Sequence, residues 1–293
     1  MKRTELVKRY RVAEQKTFRL ADIDPADTWR LKSKEHAQKW LEEGVDRLRG
    51  LQDKLYAQKQ WGVLLIFQGM DTAGKDSTIK HVMSGVNPQG CEVFSFKAPS
   101  PEELDHDFLW RTTCRLPERG RIGIFNRSYY EETLIVRVHP ELLACEKLPT
   151  ALVTKDVWRE RFEDINALER YLTRNGVIVR KFFLHLSKQE QRLRLLDRLE
   201  QPEKNWKFSL DDVRERQKWG SYQRAYEDMI RNTATDYAPW YVVPADHKWF
   251  TRLVVAEVIV DALESLELSY PKVSSAKRKE LAAGRTALLI NKA

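Results

Sequence analysis

Trp61-Gly-Val-Leu-Leu-Ile-Phe67 runs directly into Gly69-Met-Asp-Thr-Ala-Gly-Lys75-Asp-Ser77, and this hand-over decides the fold. A short, unbroken apolar run suits a strand buried on both faces. The second stretch matches G-x-x-x-x-G-K and leads into a helical pattern reaching about Ser84. Gly69 and Gly74 let backbone N–H groups turn inward around phosphate oxygens, the helix N-terminus adds partial positive charge, and Lys75 adds a full one. The competing reading is a turn whose glycines serve only the turn; the strand–loop–helix setting favours a phosphate cradle. One feature departs from the common pattern. Asp76 stands where Ser or Thr usually follows the lysine, Ser77 comes one place later, and Asp71 lies inside the loop. Two carboxylates beside a phosphate cradle require screening by divalent cations, so Mg²⁺ held partly by Asp71 is expected.

Working outward, strands and helices alternate. Upstream, Ser33 to about Gln58 reads as an amphipathic helix with Leu41, Val45, Leu48, Leu51 and Leu55 on one stripe, and residues 1–32 read as an extended arm. Downstream, strands are expected at Cys91–Phe96, Ile122–Phe125, Val177–Leu186 and Trp240–Val243. Capping boxes at Ser100-Pro-Glu-Glu103 and Ser187-Lys-Gln-Glu190 open helices to about Arg115 and Glu200. Further helices are expected over Tyr129–Val138, Asp156–Thr173, Leu210–Arg231 and His247–Leu266, with a loop at Gln201–Ser209. This alternation predicts an α/β fold of three layers, a parallel sheet covered on both faces. The division expected is an arm and helix over residues 1–58, a core over 59–268 and a basic tail over 269–293.

Composition narrows the function. The 293 residues carry a formal net charge of +8, but that excess sits at the two ends. Residues 1–10 hold Lys2, Arg3, Lys8 and Arg9 against Glu5; residues 271–293 hold Lys272, Lys277, Arg278, Lys279, Arg285 and Lys292 against Glu280. The neutral body has one basic segment, Arg180 to Arg224, which points to a localised polyanion site more than to a surface that coats nucleic acid. Cys91, Cys114 and Cys145 are odd in number and lack C-x-x-C spacing, which argues against a disulfide framework or zinc site and for a reducing cytoplasm. No apolar run is long enough to span a bilayer, and the opening residues lack the core of a signal peptide. The six histidines show no ligand spacing and read as structural. Trp206, Trp219, Trp240 and Trp249 read as packing.

Four stretches together carry a resemblance: Gly69–Asp76, Phe125-Asn-Arg-Ser-Tyr-Tyr-Glu131, Glu203-Lys-Asn-Trp-Lys-Phe208 and Ala238-Pro-Trp-Tyr-Val-Val-Pro-Ala-Asp246. In this order, and over about Phe18 to Leu266, the chain resembles the family-2 polyphosphate kinases. The resemblance implies a P-loop kinase fold of the thymidylate-kinase type with a helical lid over about 187–231. It also implies reversible phosphate transfer between inorganic polyphosphate and nucleoside mono- or diphosphates, with Mg²⁺ or Mn²⁺, in a homo-oligomer (a dimer or tetramer).

Carried onto this chain, Gly69, Gly74, Asp76 and Ser77 belong to the phosphate loop, Lys75 holds transferring phosphates and Asp71 binds metal. Many members carry Asp where this sequence has Asn126, so Glu131 and Glu132 are expected to share the metal. Arg127 is expected to clamp the transferred group. The Asn-Arg-Ser-x-Tyr-Glu form resembles the subgroup that accepts both AMP and ADP, with Glu131 at the position tied to that choice. Lys97, just after a strand, resembles a segment near the acceptor nucleotide. Among the basic residues of the lid, Arg194 and Arg198 share a helical face and, with Lys204 and Lys207, are the expected polyphosphate contacts; about half of the lid cations equally suit a solvated face. Two other readings stay open: an ATP-dependent nucleotide or small-molecule kinase, and a non-enzymatic nucleic-acid-binding protein.

Overall fold

A computed structural model describes residues 3–13, 17–29, 31 and 34–290; Ser33, expected to open the first long helix, and the end charges Lys2 and Lys292 lie outside them. In chain order, α1 (Arg3–Tyr10) leads into β1 (Arg11–Val12), then α2 (Lys34–Gln58), β2 (Gly62–Gln68) and α3 (Lys75–Val82). β3 (Cys91–Ser95) is followed by two single turns, α4 (Pro101–Leu104) and α5 (Trp110–Thr113), and by β4 (Ile122–Asn126). After α6 (Ile135–Val138) and α7 (Val157–Arg174) come β5 (Val177–His185), α8 (Lys188–Glu200), α9 (Leu210–Gln217) and α10 (Trp219–Thr233). β6 (Trp240–Pro244), α11 (Lys248–Glu264) and α12 (Ser275–Ile290) complete the chain.

The six strands form one sheet in the order β1-β6-β5-β2-β4-β3. Every pairing is parallel except β1 with β6, where Arg11 faces Tyr241. Strand β2, buried at every position, sits at the centre between β4 and β5. Its side chains alternate between two cores: Val63, Leu65 and Phe67 pack with α2, α3 and α11, and Leu64 and Ile66 pack with α7 and α10. Each such side chain contributes about 1.5–3 kcal/mol of burial. The result is the expected three-layer α/β architecture, and it places the C-terminal ends of β2, β4 and β5 at one edge, where crossover connections leave a crevice.

Several boundaries differ from the sequence reading. The arm is not extended throughout: α1 buries Leu6, Val7 and Tyr10 in the α2–α11 core, because these three recur at helical spacing. The helix expected from Ser100 to Arg115 breaks after Leu104, where the Asp107 carboxylate accepts the Leu109 N–H at 2.9 Å in an Asx turn. Residues 129–138 are a 3₁₀ turn, Tyr129–Thr133, and then α6, since Ser128 Oγ caps the Tyr130 N–H at 3.1 Å. The Leu210–Arg231 helix is interrupted at Lys218, and the Gln201–Ser209 loop contains a 3₁₀ turn, Pro202–Lys207. At Ser187 only half the capping box forms: its Oγ accepts from Glu190 N, but its own N–H donates to Asp246 Oδ1 at 2.8 Å. The basic tail contains a helix, α12, with every residue exposed.

Candidate active site

The phosphate loop bends where the sequence supplies glycine and also where it does not. Gly69 has φ +154° and lies so close to β5 that a Cβ would sit 3.0 Å from the Leu184 carbonyl oxygen. Gly74 has φ +100°, a conformation that L side chains rarely adopt. Two non-glycine residues here also take left-handed backbone, Thr72 at φ 65° and Arg127 at φ 64°. Each costs of order 1–3 kcal/mol and persists only where the surroundings over-determine it. For Arg127 one such constraint is its N–H donating to Phe67 O at 3.0 Å, which ties the end of β4 to the end of β2.

Lys75 opens α3 and is buried, with Nζ donating to Gly69 O at 2.6 Å and Met70 O at 3.4 Å. Burial, reinforced by the nearby Arg127 charge, lowers its pKa to about 8; Asp71, Glu131 and Asp76 pull the other way. Arg127 donates to Asp71 Oδ1 at 2.9 Å with both side chains about one-third exposed, so the pair faces the crevice. Glu131, then burial acting against it, then Asp71 set the Arg127 guanidinium, whose net shift is upward. With the Gln68 amide oriented to satisfy both its ends, its nitrogen donates to Glu131 Oε1 at 2.8 Å and its oxygen accepts from Ser128 Oγ and Ser128 N at 3.2 Å each. Asn126 donates to Asp76 Oδ1 at 2.5 Å. That bond explains the neutral residue: an aspartate at 126 would set two carboxylates against one another.

The structure thus gathers Gly69, Asp71, Gly74, Lys75, Asp76, Asn126, Arg127 and Glu131 around one crevice, with Ser77 Oγ bound back to Gly74 O at 3.1 Å. Other expected residues are placed differently. Glu132 points away into a buried cluster, accepting from Arg161 at 3.2 Å and lying 3.9 Å from Arg111; burial and Glu146 push its pKa up. Buried among Arg161, Arg111 and Glu146, Glu132 is turned away from Asp71 and is not placed to share a metal with it. Arg194, expected on the polyphosphate, is buried and donates to four backbone carbonyls: Thr72 and Ala73 of the loop at 3.0 and 3.2 Å, and Ala245 and Asp246 after β6 at 2.6 and 3.0 Å. Arg198 pairs with Asp212 at 3.0 Å and Lys204 with Asp197 at 2.6 Å, while Lys207 is exposed over the ring of Trp206. Trp206 itself is 78% exposed and is not packing. Lys97 is exposed, and its carbonyl accepts from Arg111 at 2.8 Å, an anchoring contact for that loop.

Some residues of the site escaped the sequence reading. Gln191 donates to Asp71 O at 3.2 Å and accepts from Arg216 at 2.9 Å, tying α8 and α9 to the loop. The Asp212 carboxyl of α9 has its pKa raised by burial and by the Asp71 charge. Tyr222 and Tyr226 of α10 both feel the charges of Glu131 and Asp71. Only Gln68, a polar residue inside an apolar strand, left a signal in the sequence.

No helix among the described residues is long and apolar enough to cross a membrane. Among them, no group of three or more His, Cys, Asp or Glu is arranged to hold a metal ion without other donors. Against known proteins, residues 31–271 match the family model for polyphosphate kinase 2. The ADP-polyphosphate phosphotransferase of Rhodopseudomonas palustris is 54% identical over 94% of this chain and 98% of its own length. The AMP/ADP-polyphosphate phosphotransferase of Meiothermus ruber is 44% identical over 93% and 98%. The crystal structure of polyphosphate kinase 2 from Arthrobacter aurescens superposes with a TM-score of 0.86 at 38% identity, covering 95% of this chain and 96% of that one. The chain belongs to the polyphosphate kinase 2 family.

Proposed function

We propose that this member of the polyphosphate kinase 2 family transfers the terminal phosphate of inorganic polyphosphate directly and reversibly to AMP and ADP, and to their guanine counterparts. The observation that carries the reading is the convergence of Lys75, Arg127, Asp71 and Glu131 at the ends of β2 and β4. The names of relatives 54% and 44% identical support the substrate class. In-line transfer between phosphates needs no strong base, because the attacking phosphate oxygen is already ionised. Catalysis is then positioning and charge neutralisation. Lys75 exchanges the Gly69 carbonyl for a phosphate oxygen, Arg127 swings its fork from Asp71 to the transferring group, and the loop N–H groups and the α3 N-terminus hold the remaining oxygens.

The donor set suits a hard divalent cation. Mg²⁺ takes one or two carboxylates together with substrate phosphates, and Asp71, with Glu131 beside it, supplies oxygen ligands at the mouth of the loop. When bound, Mg²⁺ or Mn²⁺ neutralises charge on the phosphates. In this reading the catalytic unit spans 59–268 with the lid over 187–231, Glu131 bears on the choice between AMP and ADP, the chain works in the cytoplasm, and it assembles as a dimer or tetramer.

The test is a Mg²⁺-dependent assay with long-chain polyphosphate and AMP, ADP or GDP, with products separated by chromatography. ADP and ATP formed from AMP are expected. Activity on diphosphates alone would discard the role given to Glu131; turnover with ATP as donor and none with polyphosphate would overturn the reading.

A further inference from the structure

Directly beneath the segment that carries Arg127 and Glu131 lies a polar network that the reaction itself does not use. Tyr129 and Tyr130, both fully buried, donate to the same oxygen, Glu169 Oε1, at 3.0 and 2.7 Å. Lys181, in the middle of β5, donates to Glu169 Oε2 at 2.6 Å, to Tyr130 Oη at 3.0 Å and to Thr233 O at 2.7 Å. Lys181 and Glu169 have no solvent exposure at all. Each of the three ammonium protons has an acceptor, and each carboxylate oxygen has at least one donor. Burial and the Glu169 charge hold both phenols well above their ordinary pKa, so they remain protonated donors. Trp240 closes the network, with its ring 5.2 Å from Lys181 Nζ and its Nε1 donating to Thr233 Oγ1 at 2.9 Å.

A buried ion pair is weak evidence for stability, since well-packed apolar residues of similar volume often serve as well. What this pair does hold is geometry. Tyr129 and Tyr130 stand between Arg127 and Glu131 in the chain, and the turn they occupy follows immediately on the left-handed backbone of Arg127. Gln68 and Ser128 fix the crevice side of that turn, while Glu169 pulls on its core side through two hydroxyls. We propose that Glu169 and Lys181 are positioning residues that set Arg127 and Glu131 relative to the phosphate loop, and through Glu131 the balance between AMP and ADP as acceptors. The inference rests on the roles given above to Arg127 and Glu131.

The test replaces the network as a unit, Y129F/Y130F/E169L/K181M, so that no charge is stranded. The variant is expected to melt cooperatively. Relative to wild type, kcat should fall about tenfold to a hundredfold, as for a displacement near one ångström. The AMP-to-ADP rate ratio should shift, and KM for polyphosphate should change less than about threefold. Hydrogen exchange in segment 127–133 should accelerate. A folded variant with wild-type kcat, acceptor ratio and exchange would overturn the proposal. If that variant does not fold, Tyr130→Phe alone, which removes one hydroxyl and no charge, should move the ratio and the exchange in the same direction; wild-type values for it would be equally fatal. Should the wild type use ATP in place of polyphosphate, the functional reading fails, yet the variant-to-wild-type comparison on that donor and the exchange measurement still decide the positioning claim.

Discussion

The phosphate loop and the α8–α10 segment read as a lid each supply cations, yet they hold them in opposite ways. In the loop, Lys75 is buried against two backbone carbonyls, and burial has already lowered its proton affinity. In the segment read as a lid the cations already hold carboxylates: Arg194 has Glu190 at 2.8 Å besides four carbonyls, Arg198 has Asp212 and Lys204 has Asp197. A cation that gives up carbonyl dipoles for a phosphate gains a full opposite charge, whereas one that gives up a carboxylate exchanges like for like. Counting basic residues therefore identifies where a polyanion is attracted, and the partners of each decide which of them act on it.

The largest effect expected from this contrast is at the loop. Lys75→Ala should fold and lose about a hundredfold to a thousandfold in kcat, the range for removing one preorganised charge-stabilising donor, as read by steady-state kinetics with polyphosphate and ADP. Next comes Arg194→Ala, which strips the loop of its support from α8. Several charge-assisted hydrogen bonds at about 1.5–3 kcal/mol each, not fully additive, should lower stability by about 3 kcal/mol or more in denaturant melts. Activity should fall while the salt dependence of KM for polyphosphate stays unchanged, because the guanidinium is buried and already paired with Glu190; a flattened salt dependence would return Arg194 to the substrate.

The Lys75 ammonium also makes a prediction about pH. The unfolded chain keeps this proton up to about 10.5 and the folded chain only to about 8, so between those values the unfolded state binds more protons and stability rises with pH. Below about 8 both states are protonated and the native state bears the full cost. Lys75→Met should therefore stabilise the protein by up to about 3 kcal/mol at pH 7 and by progressively less toward pH 10.5, measured by urea unfolding across that range. A constant difference would mean that the lysine is not desolvated.

Smaller still is the change at Glu131. Glu131→Asn keeps a side chain that can bond Gln68, and it should alter the AMP rate about tenfold more than the ADP rate; equal effects on both would remove Glu131 from acceptor choice. The smallest effect belongs to Lys204→Ala. Its pair with Asp197 is more than one-third exposed, so stability should change by less than about 1 kcal/mol and KM for polyphosphate by about threefold or less.

The same contrast explains what was legible in the sequence. The cradle could be read because its requirements are local: an apolar strand, two glycines and a lysine within fifteen residues. The parallel sheet followed from alternation, and Arg127 and Glu131 from the resemblance. The commitments of Arg194 are not legible, because its acceptors include the carbonyls of Thr72 and Asp246, backbone atoms far away in the chain that no side-chain pattern reveals. Glu132 was placed on the metal because it adjoins Glu131, but in a 3₁₀ turn adjacent side chains diverge, and its partner Arg161 comes from α7. Lys181 and Glu169 gave no signal at all: a lysine in an apolar strand and a glutamate on an amphipathic helix look like surface charges until the fold brings them within 2.6 Å.

The most direct test of the account is rapid-quench transfer from long-chain polyphosphate to ADP in a single turnover, with Lys75→Ala and the lid variant Lys204→Ala/Lys207→Ala measured side by side. The account predicts that the first loses transfer by at least about a hundredfold while the second stays within about threefold of wild type. A folded Lys75→Ala with near-normal transfer, beside a lid variant that has lost it, would contradict the account.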